Sequence, residues 1–134
     1  MRRSISIGAL ALLLTACLGS DFADSVEGSW QLVSGTVEGT EVPILEANPI
    51  TLVLDGDQAS GIAACNSYSG PFTLDGSSIE IGNIAITEMA CLDEGAMEAE
   101  SLYMAGLISV DTVAMDDGLT LTGPGVELVF ESNG

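Results

Sequence analysis

Two kinds of side chain carry the reactive potential of this 134-residue sequence, its 20 carboxylates and its three cysteines. Histidine is absent, and the two basic residues, Arg2 and Arg3, both stand at the N-terminus. Beyond them there is no imidazole for general-base work or metal ligation and no lysine for a Schiff base or a phosphate loop. Nucleic-acid binding is excluded on the same ground, because it depends on cations that displace phosphate counterions. Paired carboxylates could serve a glycosidase or an aspartic protease. Yet Asp111-Thr112-Val113 and Asp75-Gly76-Ser77 both miss the protease motif, and the acids read as a solvated surface. Calcium fares no better. Asp55-Gly56-Asp57-Gln58-Ala59-Ser60 starts like an EF-hand loop but has serine at position six and Asn66 at position twelve. No catalytic residue, metal ligand or cofactor is expected, and the chain reads as non-enzymatic.

The cysteines say more. Cys17 follows Met1-Arg2-Arg3, an apolar stretch from Ile5 to Leu14, and Thr15-Ala16. A positive start, a short apolar core and a small-residue cleavage site form a secretory signal, too short to span a bilayer. Leu14-Thr15-Ala16-Cys17 also resembles the bacterial lipobox, whose cysteine is diacylated and becomes the mature N-terminus. Residues 1–16 are therefore expected to be a lipoprotein signal peptide, and residues 17–27 a lipidated cysteine and tether. That places the body outside the cytoplasm, held by lipid at the outer membrane, its periplasmic face or the cell surface. Cys65 and Cys91 are then an even pair in an oxidising compartment, which reads as one structural disulfide. A redox or metal-binding thiol pair is the alternative, but there is no Cys-x-x-Cys spacing to support it.

The elements that must position these groups are mostly strands. Trp30 and Leu32, Ile50-Leu52-Leu54, Ile79-Ile81, Ile84-Ile86, Leu119-Leu121 and Val126-Leu128-Phe130 alternate with polar or outward residues at period two. Asp55-Gly56, Asp75-Gly76 and Asp117-Gly118 punctuate them as turns. One stretch changes period. Met97, Ser101, Met104 and Ile108 recur at helical spacing behind Asp93 and Glu94, predicting a helix of about three turns. Its two methionines read as core filling.

Gly61-Ile62-Ala63-Ala64-Cys65-Asn66-Ser67-Tyr68-Ser69-Gly70 resembles the first signature of the META-domain, or HslJ-like, family, and Thr87-Glu88-Met89-Ala90-Cys91 its second. Trp30-Gln31-Leu32 is similar to the family's opening, Glu100 to Leu107 to its helix, and Leu119-Thr120-Leu121 with Leu128-Val129-Phe130 to its closing strands. Ala64 replaces a frequent glycine, and Ser67 and Glu88 stand where basic residues are common. The resemblance implies a mainly β domain over 28–131: a small antiparallel β-barrel, lipocalin-like in general shape, with one short α-helix. It also implies a bacterial envelope protein linked with heat or antibiotic stress, and brings no catalytic residue with it.

The expected function is thus a non-enzymatic envelope lipoprotein supporting stress tolerance through contact with an envelope protein partner. Asn66 and Tyr68, tied to Cys91 through Cys65, form the candidate recognition surface. A lipocalin-like carrier of a small apolar ligand is the alternative and requires a hollow barrel. A carboxylate-based hydrolase comes last. The charge balance generates a prediction of its own. Side-chain charges downstream of Arg3 are all of one sign, so folding crowds like charges. Raising salt from 0.1 M to 1 M shortens the screening length from about 10 Å to about 3 Å. The melting temperature should therefore rise between dilute and molar sodium chloride, and a melt indifferent to salt would refute crowding.

Overall fold

Period-two alternation shapes most of this chain, and each strand turns one row of side chains to a common interior. The computed structural model describes residues 22–134. Its strands are β1 (Gly28–Val37), β2 (Thr40–Glu41), β3 (Thr51–Asp55), β4 (Gln58–Ala63), β5 (Asn66–Asp75), β6 (Ser78–Ile81), β7 (Ala85–Ile86), β8 (Thr112–Met115), β9 (Leu119–Gly123) and β10 (Val126–Ser132). A short helical turn, α1 (22–26), precedes them, and α2 (Glu94–Leu107) lies between β7 and β8. β1, β3, β4, β5, β6, β8, β9 and β10 pair antiparallel in that order, and β10 returns to β1, closing an eight-stranded barrel. The mainly β barrel with one substantial helix is the expected fold.

The interior is filled. Trp30, Leu32, Leu52, Leu54, Tyr68, Phe72, Leu119, Leu121, Leu128 and Phe130 are all buried, with Tyr103 of α2 among them. β1 keeps its inward row in phase through a bulge. Its register slips between Leu32 and Ser34, Val33 turns outward, and the inward row resumes at Gly35 and Val37. Gly56 and Gly76, both at positive φ, start the two-residue turns of the β3–β4 and β5–β6 hairpins. Asp55 and Asp57, compared above with a calcium loop, are thus hairpin residues.

Three expectations need correcting. The helix is longer than three turns: it spans 14 residues, capped by Asp93, whose carboxylate accepts the Gly95 N–H at 2.9 Å. Its buried face is also different, consisting of Ala96, Ala99, Glu100, Tyr103, Gly106 and Leu107, whereas Met97 and Ile108 are exposed. Small residues let the helix axis come close to the strands, which outweighs the greater apolar area of methionine. A Cβ on Gly106 would stand 2.8 Å from a Val37 methyl. Finally, residues 22–27, expected as tether, pack onto the domain in part. Val26 is fully buried, its carbonyl accepts the Trp30 indole N–H at 2.9 Å, and Glu27 accepts the Gly56 N–H at 2.8 Å. Cys17 and the signal segment lie outside the described residues.

The barrel has a base and a top. Residues 22–27 and the β3–β4 hairpin gather at the base. α2 packs on β1, β4 and β10 at the top, near the β4–β5 turn. The closure is uneven. β1 and β10 pair from Trp30 with Ser132 to Val37 with Val126, but β6 and β8 share only the Ser78–Thr112 pair. The Ile79 and Val113 N–H groups bond across that seam, to Asp111 and Ser77 carbonyls. Local opening tracks local pairing, so these two amides should exchange with deuterium well before those of Gln31 and Val129, which the alternation of the ladder turns toward the β1–β10 seam. Equal protection across both seams would contradict it.

Candidate functional site

β4 ends and β5 begins in the two-residue turn Ala64-Cys65, with Ala63 paired to Asn66. Ala64 sits at φ +68, where an L side chain is disfavoured, which accounts for glycine being frequent at this position in the family resembled above. The turn presents Cys65 to Cys91, and the two form a disulfide with Cα atoms 6.1 Å apart that closes a separation of 26 residues. It joins the β4–β5 turn to the segment before α2, as expected.

Asn66 lies just inside that link and is 2 % exposed. Its backbone N–H donates to Glu100 Oε1 at 2.7 Å, and its side-chain Nδ2 donates to Glu100 Oε2 at 3.0 Å. Both carboxylate oxygens are therefore held by one residue. Nδ2 also donates to the Met89 carbonyl at 3.2 Å, while Oδ1 accepts from Thr87 Oγ1 at 2.9 Å and from the Met89 N–H at 2.7 Å. One asparagine thus satisfies the helix carboxylate and orders Thr87 to Met89. Two residues on, Tyr68 donates its hydroxyl to the Thr51 carbonyl at 2.7 Å. A hydroxyl has one proton, so Tyr103 is the donor in the 2.6 Å contact between the two phenols. The rings meet edge-on with centroids 5.7 Å apart, and Tyr103 meets Phe130 edge-on at 6.4 Å. Burial pushes both phenols above their ordinary range, and for Tyr68 the hydrogen bond from Tyr103 opposes part of that rise. Both stay protonated at neutral pH. Gly61 makes room for this relay, since a Cβ there would run into the Thr51 carbonyl and stand 2.9 Å from the Tyr68 hydroxyl.

The structure thus brings Cys65, Cys91, Asn66 and Tyr68 together at the top of the barrel, although Asn66 and Tyr68 point inward as buried network members. Neither is surface in the sense expected. The exposed part is the rim behind them: Ile86, Met89 and Leu92, with Ser67 and Glu88. Sequence reasoning did not single out Glu100 or Tyr103 as individual site residues. Their signal was present, because both fall on the face marked by Ala96, Ala99 and Gly106.

This network makes Glu100 sensitive to an isosteric change. Both its oxygens accept N–H donors, whereas an amide supplies one acceptor and one donor. Glu100→Gln should therefore leave a buried N–H unsatisfied and destabilise the fold by about 1–3 kcal/mol. Glu98→Gln on the exposed face should barely move the melt. Equal melting of the two variants would mean that the clamp holds nothing.

The comparisons agree with this architecture. The chain is similar to a protein from Burkholderia xenovorans solved by NMR, 26% identical over 99% of both chains with a TM-score of 0.69. A second NMR structure is 19% identical over 82% of this chain and 93% of its own, with a TM-score of 0.61, a likeness of fold. Among curated proteins nothing matches. The META domain model matches residues 23–133, beginning at the buried N-terminal turn and ending beyond β10, and the chain belongs to the META-domain family.

Proposed function

We propose that this META-domain protein is a non-enzymatic lipoprotein of the cell envelope that supports stress tolerance by contacting another envelope protein. The observation that carries the reading is the Cys65–Cys91 disulfide downstream of a lipobox-like Cys17. A disulfide of this kind persists in oxidising compartments. The packing supports a contact role over transport, because side chains fill the barrel axis where a carrier would hold its ligand. The polar cluster supports the same choice. Asn66, Glu100, Thr87 and the two tyrosines spend their hydrogen-bonding capacity on one another and on backbone. Groups so engaged hold a shape and are poorly placed to take up a substrate proton.

The base of the barrel suits an anchor. Residues 22–27 dock there, so a lipid ahead of them would leave the disulfide end facing away from the membrane. Two acyl chains suffice for stable attachment, and the acidic body adds no attraction to anionic headgroups. Cys17→Ser should move the protein from the membrane fraction to the soluble one or leave an unprocessed precursor, read by fractionation and mass. Normal cleavage with unchanged membrane retention would overturn the anchor.

A further inference from the structure

β7 is a strand with one partner. It pairs with β5 through Tyr68–Ile86 and Ser69–Ala85, and among the described residues no strand flanks its other side. The Thr87 N–H donates to the Ser67 carbonyl at 3.0 Å. By the alternation of an antiparallel ladder, the N–H and C=O of Ile86 then point away from β5. The weak β6–β8 seam leaves this side open, because β8 pairs with β6 only at Ser78. Residues 85–90 are exposed in an unbroken run, and a groove of about 360 Å³ lies along the ladder, lined by Ser67, Tyr68, Ser69, Ala85, Ile86 and Thr87. The other two-residue edge strand, β2, is followed closely by Pro43, which has no N–H to offer. β7 has no such block before Cys91.

Charge decides the occupant. Glu88 follows β7, Glu80 faces outward on β6, and Asp111 is exposed across the seam. A second copy would set these acids against themselves, and the described residues hold no lysine, arginine or histidine to compensate. An anionic lipid surface is disfavoured for the same reason. We infer that β7 is a docking edge for an extended basic peptide segment of another protein, which adds a strand beside Ile86 and sets its cations against Glu80, Glu88 and Asp111. The inference rests on the contact reading above and names the partner's chemistry. Main-chain bonds would supply affinity, the groove would take an apolar side chain, and the acids would select basic sequences.

The test uses the full chain carrying Cys17→Ser and a blocked seven-residue peptide alternating lysine with valine. The peptide should bind saturably and shift the amide signals of Ile86 and Glu88. Versions with glutamate for lysine, or with proline at the central valine, should fail to bind. Ile86→Pro removes the outward donor at a place where an edge strand tolerates proline. Provided it melts like the parent, it should bind about tenfold more weakly, the worth of a main-chain bond. Should that variant misfold, Glu88→Gln gives a second reading and should weaken binding several-fold. Equal binding of the proline-broken peptide would reduce the effect to bulk charge and overturn the docking edge, as would amide shifts confined to other faces or self-association through β7. Fractionation of Cys17→Ser is blind to this edge, so anchor and edge can fail separately.

Discussion

A carboxylate is buried where the described residues hold no cation to meet it, and the top of the barrel is organised around that constraint. Glu100 is 8 % exposed, and a bare buried charge would be prohibitively costly. With no lysine, arginine or histidine among the described residues, N–H dipoles compensate, and Asn66 provides two of them. Asn66 must therefore sit at the first position of β5 with its side chain turned inward. Its remaining capacity then orders Thr87 and Met89, which carry the chain to Cys91. Helix, turn and connecting segment are joined at one side chain, and the disulfide secures the same junction covalently. Among the described residues no buried side-chain polar atom is left without a partner, as such a network requires if it is to specify one arrangement.

The tyrosine relay depends on this clamp for its alignment. Glu100, one turn before Tyr103 on α2, is fixed to β5, and with the packing of Ala96, Ala99 and Leu107 it sets Tyr103 against Tyr68. Tyr68 in turn takes the Thr51 carbonyl, where β3 and β4 part between the Val53–Ser60 pair and the Ile50–Ala63 bridge. The Thr51 hydroxyl accepts the Ile62 N–H at 3.0 Å across the same gap. Side chains thus stand in for ladder bonds where Gly61 leaves space. What one expects of a lipocalin-like shape, an open cup, is here a plugged one.

Much of the fold was legible in the sequence. Strands whose inward row is Leu, Ile, Val or Phe declared themselves by alternation, as in β3, β6, β9 and β10. β4 and β5 did not, because their inward rows are Ala59, Gly61 and Ala63, then Asn66, Tyr68, Gly70 and Phe72. Small and polar residues there serve close approach and hydrogen bonding, which hydrophobic periodicity cannot register. The helix was only partly legible for the same reason: alanines and a glycine form most of its contact face, Met97 looks outward, and Met104 packs against the core from a partly buried position. Cys65, Cys91, Asn66 and Tyr68 were found through spacing and family resemblance, but their inward direction is a property of register.

The pairing of β1 with β10 has a consequence in time. Trp30 meets Ser132, so the first strand of the barrel, already paired with β3, finds its second neighbour only in the last. Contacts so distant along the chain form late and slowly. A chain emerging N-terminus first could shape the β3–β6 hairpins early but would stay an open sheet until β10 was available to close it.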